Sequence, residues 1–160
     1  MTESEKYRQE FFKAFEEGIN TTNPIPIIII THLYTEYWIN RLIEEKSPTP
    51  KEILDDHRGY TYAVKLNLVY NMQLISKELY QNLKKLNDLR NKYAHKIGYD
   101  FLKSNFDYYD PNNKIDVKAY AELLRKGKSK MKPLDVLVPI SFLTAGWLER
   151  HCKETYKMKT

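Results

Sequence analysis

Arg90, Asn91 and His95 are the residues of this chain whose types and spacing best fit chemistry. They fall in a segment with helical periodicity, in which each residue advances by about 100°. Asn91 and His95 therefore lie within roughly 40° of each other, on the flank beside Arg90. Such a helix offers a permanent cation, an amide and a side chain that titrates near neutral pH. This set predicts a site that handles an anionic group.

Arg90 stands where the helical pattern asks for an apolar residue. The stripe at steps of three and four consists of Leu79, Leu83, Leu86, Arg90, Tyr93, Ala94 and Ile97. A guanidinium keeps its charge, so in that seam it must meet a carboxylate, a phosphate or water. Glu36, on another mostly apolar segment, is the expected carboxylate partner. A paired arginine still has N–H donors for a phosphate, so the two interpretations are compatible.

Glu36, Lys65 and Asp88 are predicted to support this site. Asp88 precedes Asn91 by three positions and so shares its side of the helix, where it can tune His95. A solvated surface position is the favoured interpretation of Asp88. Lys65 stands between apolar neighbours, which favours a buried stem whose ammonium reaches water over a second phosphate contact.

A basic run near the carboxyl terminus is the other charged feature. Residues 125–132 hold five cations in eight positions: Arg125, Lys126, Lys128, Lys130 and Lys132. Such a run is most often an exposed loop. As an alternative, Lys126, Lys128, Lys130 and Lys132 bind RNA with salt-dependent, sequence-independent affinity.

The composition bounds the kind of protein. A chain of 160 residues with a net charge of +5 predicts one domain, residues 1–160, and permits a polyanionic partner without requiring one. The single Cys152 excludes an internal disulfide and fits a reducing cytoplasm. The sequence has no signal peptide, no apolar run long enough for a membrane, no cofactor motif and no metal-ligand spacing. We expect a cytoplasmic protein without cofactor, metal or membrane partner.

The elements that position the site are expected to be helices. Low glycine content and long periodic segments predict an all-α, up-and-down bundle of about five to seven helices, with no strand. Thr2 and Glu5 have the spacing of a capping box, and Asp116 can cap a helix that ends at Arg125. The first helix is expected to bury Tyr7, Phe11, Phe12, Phe15 and Ile19.

The segment around Arg90 also resembles a known family. Arginine, a polar residue and a histidine five positions after the arginine match the Arg–(four to six residues)–His motif of the HEPN superfamily (higher eukaryotes and prokaryotes nucleotide-binding). The order of a glutamate helix, a lysine helix and an Arg-Asn-x-x-Ala-His helix looks like its mannitol-repressor-like branch. The resemblance covers approximately residues 25–98, and residues 99–160 are expected to add further helices.

The resemblance implies a metal-independent endoribonuclease of toxin or phage-defence type. RNA carries its own nucleophile, the 2′-OH, so cleavage needs proton transfer and a cation on the phosphate. His95 would be the general acid or base, Arg90 would stabilise charge on the phosphate, and Asn91 would orient His95 or contact the phosphate. The family further implies a homodimer with two motifs near one cleft, and an antitoxin or other protein partner.

One position departs from the family pattern, and a second function stays open. In toxins paired with small nucleotidyltransferase antitoxins, a tyrosine lies two residues after the histidine, whereas this chain has Ile97. That argues against such a pairing. The alternative function is a non-catalytic regulator that binds protein or nucleic acid, like members of the mannitol-repressor branch. An exposed His95 in a basic cleft, near its symmetry mate, favours catalysis, and a buried His95 bonded to a backbone carbonyl favours the regulator.

Overall fold

The computed structural model describes residues 1–96, 98–104, 106–110, 114–116 and 132–158. These residues form six α-helices: α1 (Glu3–Ile19), α2 (Ile25–Lys46), α3 (Pro50–Leu54), α4 (Tyr62–Asn71), α5 (Lys77–His95) and α6 (Pro133–Tyr156). A short 3-10 turn (Phe101–Lys103) follows α5. The prediction of an all-α bundle of about five to seven helices is confirmed.

The helix starts follow from local chemistry. Thr2 and Glu5 form the predicted capping box, in which each side chain accepts a hydrogen bond from the other residue's backbone N–H. The Ser76 hydroxyl caps α5 by accepting from the N–H of Leu79. Helix α5 ends at His95, and Gly98 follows with a φ of +72°, a left-handed conformation that suits glycine.

Helix α2 is the centre of the molecule. It is apolar on most of its circumference and packs against each of the other described helices. Trp38, Ile39, Leu42 and Ile43 are almost fully buried there. Because α4 and α5 both lie against α2, polar residues on α2 can meet side chains from either helix.

The prediction that the chain has no strand is wrong. Strands β1 (Asp107–Tyr109) and β2 (Lys114–Asp116) form a small antiparallel hairpin in which Tyr108 pairs with Ile115. The side-chain amide of Asn82 on α5 donates to the carbonyl of Tyr109 at 2.6 Å and accepts from its N–H at 2.7 Å. A helix side chain thus supplies hydrogen bonds that a neighbouring strand would otherwise supply. Asp116 ends β2, and the helix predicted after it lies outside the described residues.

Helix α1 buries less than its sequence predicts. Phe11 and Phe15 are in the core, as expected. Tyr7, Phe12 and Ile19 were expected there too but are about two-fifths exposed, at 42%, 39% and 45%. Helix α1 packs mainly on α2, and its flank aromatics make ring contacts near the surface: Tyr7 stacks on Tyr37 of α2, and Phe12 contacts Phe142 of α6.

Candidate functional site

Helix α5 has a buried half and an exposed end. Its buried residues run from Leu79 to Leu89, and they pack against α2, α4 and α6. Beyond Leu89 the helix continues to His95 with exposed side chains, apart from the half-buried Tyr93. The packed half fixes the direction of the helix and therefore the position of Arg90, Asn91 and His95.

Arg90 is exposed, not enclosed in an apolar seam. The stripe is enclosed only as far as Leu89, the last buried residue of α5, so the guanidinium meets water, one of the three partners expected for it. One guanidinium nitrogen of Arg90, Nη1, donates to Oδ1 of Asn91 at 3.3 Å. That contact turns the cation toward the flank of the helix that also carries His95.

His95 is exposed in the last turn of α5. The rise of an α-helix puts it about 7.5 Å further along the axis than Arg90. Within the described part of the chain, no hydrogen bond or ion pair holds its imidazole. The arrangement therefore leaves the imidazole of His95 accessible to a ligand.

Asp88 is exposed, in agreement with the favoured interpretation. It borders a shallow depression with Lys85 and Lys92 on the opposite side of α5 from the groove described below. Among the described contacts, none joins Asp88 to His95. Asp88 has no visible supporting role.

Glu36 pairs with Lys65, so the expected Glu36–Arg90 ion pair is wrong. Oε1 of Glu36 accepts a hydrogen bond from Nζ of Lys65 at 2.6 Å. The same ammonium donates to Oδ1 of Asn40 at 2.9 Å. None of the described carboxylates forms an ion pair with Arg90. Helix α4 supplies the cation that α5 was expected to supply.

Lys65 is also placed differently from its prediction. Its ammonium was expected in water, but the residue is only 5% exposed. A buried ammonium must be paired, and Glu36 and Asn40 provide the pair and a further acceptor. Next to them, the Thr35 and Tyr62 hydroxyls hydrogen-bond at 3.0 Å. These residues tie α4 to α2 and are not open to a phosphate.

His32 is a site residue that the sequence interpretation missed. It lies one turn before Glu36 on α2, its Nε2 is 3.8 Å from Oε2 of Glu36, and its ring packs on Tyr62. Burial, followed by the positive charge of Arg90, lowers the pKa of His32 to about 4. His32 is therefore neutral near pH 7. The spacing of His32, Glu36 and Asn40 marks a polar line on α2, but only the packing of α5 brings that line near Arg90.

A groove of about 260 Å³ separates α2 from the end of α5. Its walls are mostly apolar, with one charged and one neutral polar side chain. The lining residues are Ile25, Ile28, Ile29, His32, Leu33, Arg90, Tyr93 and Ala94. The groove thus joins the missed residue His32 to the predicted residue Arg90.

The other predicted residues add little to this geometry. Lys126, Lys128 and Lys130 lie outside the described residues. Lys132 is exposed and caps the start of α6, where its backbone N–H donates to Asp135 at 2.9 Å. Cys152 is buried, and burial raises the pKa of its thiol to about 12, so it is not a nucleophile.

The described ranges also bear on metal binding and on membrane insertion. No group of three or more histidine, cysteine or acidic side chains is arranged to hold a metal ion there. In that same part of the chain, none of the helices combines the length and apolar character needed to cross a membrane.

Comparisons with known proteins give no relative for this chain. No protein-family model matches it, no curated protein matches it, and no solved structure matches it. The HEPN resemblance therefore depends on the motif and its order of helices alone.

Proposed function

We propose that the protein is a metal-independent endoribonuclease in which Arg90, Asn91 and His95 form the active end of α5. The observation that carries the proposal is the exposure of these three residues together, with Arg90 hydrogen-bonded to Asn91 rather than paired to a carboxylate. A buried ion-paired arginine and a histidine bonded to the backbone would instead have favoured a structural role.

The chemistry follows from the residue types. The 2′-oxygen of RNA attacks the adjacent phosphorus, the bond to the 5′-oxygen breaks, and a 2′,3′-cyclic phosphate and a 5′-hydroxyl result. One group takes the proton from the 2′-OH, and another gives a proton to the departing 5′-oxygen. Arg90 stabilises charge on the non-bridging phosphate oxygens. Asn91 positions the guanidinium of Arg90 through its side-chain oxygen, whereas the sequence interpretation had Asn91 orient His95 or contact the phosphate.

A homodimer completes this mechanism. One imidazole cannot act on both sides of the phosphorus at once, so His95 would serve as base while the partner subunit's His95 serves as acid. The exposed apolar side chains of Ile25, Ile29 and Leu33 also line the groove, so a second copy could contact only the parts of them that point away from it. A toxin or phage-defence role, with an antitoxin partner in the cytoplasm, is the biological setting that the HEPN resemblance supports.

Cleavage of total cellular RNA by purified protein in EDTA tests the proposal. We expect fragments with cyclic phosphate ends from the wild-type protein and a loss of about 10²–10⁴-fold in rate for His95→Ala. Arg90→Ala should lose about 10²–10³-fold. His57 and Arg58 are an exposed histidine and arginine between α3 and α4, so His57→Ala and Arg58→Ala are matched controls that should cleave like wild type.

The assay also decides for the alternative function. Intact RNA with folded wild-type protein at high concentration would contradict the ribonuclease and favour the non-catalytic regulator. One observation favours that regulator: no described residue orients the His95 imidazole, whereas catalytic histidines are usually oriented by a second group. Cleavage that survives His95→Ala would show that the activity comes from elsewhere.

A further inference from the structure

We propose that the groove between α2 and the end of α5 binds a nucleobase of the RNA, while Arg90 at its edge holds the adjoining phosphate. This inference rests on the proposed ribonuclease function, since it names where the substrate lies. It gives His32, which the proposed mechanism does not use, the role of a specificity-determining residue.

The shape and walls of the groove suit a single planar group. Pockets for drug-sized ligands measure about 300–1,000 Å³, and this groove measures about 260 Å³. Ile28 forms its buried floor, Leu33 and Tyr93 are among its walls, and Ala94 leaves space on the α5 side. Bases stack on apolar and aromatic faces such as these.

His32 provides a polar contact of the correct kind. It is neutral near pH 7 because burial and the Arg90 charge disfavour protonation. A neutral imidazole has one N–H donor and one acceptor nitrogen. The edge of a base also presents neutral donors and acceptors, whereas a second phosphate would be met better by a cation. The charged groups that face His32 are Glu36 on its own helix, Lys65 on α4 and Arg90 on α5.

The charge of the lining residues distinguishes this groove from a second depression on the other side of α2. A second apolar depression, lined by Tyr7, Phe11, Ala14 and Ile30 among others, lies between α1 and α2. Among the described residues, the acidic Glu10 is the one charged side chain that lines it. In the same part of the chain, Arg90 is the one charged side chain that lines the groove at α5. A nucleotide combines an apolar face with a negative phosphate, so it fits the groove at α5 and not the one at α1.

Calorimetric titration with defined probes tests the proposal. The probes are inorganic phosphate, ribose 5-phosphate and the four nucleoside 5′-monophosphates. We expect at least one nucleotide to bind about tenfold more tightly than ribose 5-phosphate, because only the nucleotide fills the groove. Arg90→Ala should weaken all phosphate-bearing probes. Equal affinity of ribose 5-phosphate and every nucleotide for wild-type protein would overturn the proposal.

Two matched alanine-to-leucine variants test whether the nucleotide preference comes from the groove. Ala94→Leu fills the groove from an exposed position on α5 and should abolish the nucleotide preference while phosphate still binds. Ala14→Leu fills the depression between α1 and α2 and should leave the preference intact. His32→Phe keeps a ring in place and should change the ranking of the four nucleotides without weakening ribose 5-phosphate.

The remaining outcomes separate the two proposals. Nucleotide preference lost in Ala94→Leu, in a protein that cleaves no RNA, would keep the base pocket and remove the ribonuclease. RNA cleavage without any nucleotide preference would keep the ribonuclease and remove the base pocket. If sedimentation shows a dimer that Ala94→Leu dissociates, and nucleotides bind no better than ribose 5-phosphate, a second copy occupies the groove and the base pocket is wrong.

Discussion

Lys65 and Arg90 are both cations on helices that pack against α2, but their surroundings are opposite. Lys65 is 5% exposed and makes two short contacts to α2, whereas Arg90 is exposed and contacts its own neighbour Asn91. Lys65 therefore holds helices together, and Arg90 is available to a ligand. The charge of such a residue does not by itself indicate its role. Whether the residue lies within the packed part of its helix or beyond it does indicate that role.

The largest expected effect compares the stability of Lys65→Met with that of Arg90→Met. Lys65→Met leaves Glu36 with no cation in a mostly buried place and should lower the free energy of unfolding by about 3 kcal/mol. Arg90→Met changes an exposed residue and should shift the free energy of unfolding by less than about 0.5 kcal/mol. Urea unfolding followed by circular dichroism measures both. Equal losses in the two variants would contradict the assignment of roles.

A double variant sharpens the Lys65 result. Glu36→Leu removes the charge that Lys65→Met leaves unpaired, so the pair of substitutions should recover much of the stability lost in Lys65→Met alone. If the double variant is as unstable as the sum of the two single variants, the ion pair is not the cause.

The next effect concerns pH. Burial and Arg90 lower the pKa of His32 from its usual 6.5 to about 4, so between these values the unfolded chain binds a proton that the folded protein does not. Stability should therefore fall as pH decreases from 6.5 to 4, by about 2 kcal/mol after allowance for solvent screening. His32→Gln should flatten this part of the unfolding profile, while His57→Gln, at an exposed position, should leave it as in wild type. An unchanged slope in His32→Gln would show that His32 does not have the lowered pKa that its burial implies.

The smallest effect compares two tyrosine hydroxyls. Tyr62 hydrogen-bonds Thr35 in the interior at 3.0 Å, and Tyr80 hydrogen-bonds Asn67 at the surface at 2.8 Å. Tyr62→Phe should cost about 1 kcal/mol, because a buried hydroxyl loses its partner. Tyr80→Phe should cost less, about 0.3 kcal/mol, because the side-chain oxygen of Asn67 can hydrogen-bond to water instead. Thermal unfolding of both variants checks the difference, and a larger cost at Tyr80 would reverse the ranking.

Much of the fold was predictable because its causes are local. The periodicity of Leu79, Leu83 and Leu86, the Ser76 cap and the glycine at residue 98 are all present in a short stretch of sequence. They predict a helix from Lys77 to Ile97, and the observed α5 (Lys77–His95) ends two residues earlier. The exposure of Arg90 was not predictable in the same way, because the stripe continues in sequence past Leu89, where a groove separates α5 from α2.

The pairing of Glu36 and the part played by His32 depend on distant contacts. Glu36 had two possible cations, Lys65 and Arg90, and the sequence contains nothing that ranks one above the other. The hairpin was missed because its three-residue strands are too short to show alternation, and because Asn82 stabilises it from α5. His95 and Arg90 were proposed as site residues from their types and spacing, which need no tertiary information.

The unequal packing along α5 has a consequence for how this protein can change. Residues up to Leu89 are under the constraint of the core, so most substitutions there reduce the amount of folded protein. Residues 90–95 escape that constraint except at Tyr93. Mutation can therefore vary residues 90–95 and the mouth of the groove with little loss of folded protein. Under the proposed function, new substrate preferences could arise there by single amino-acid replacements, without changes to the core.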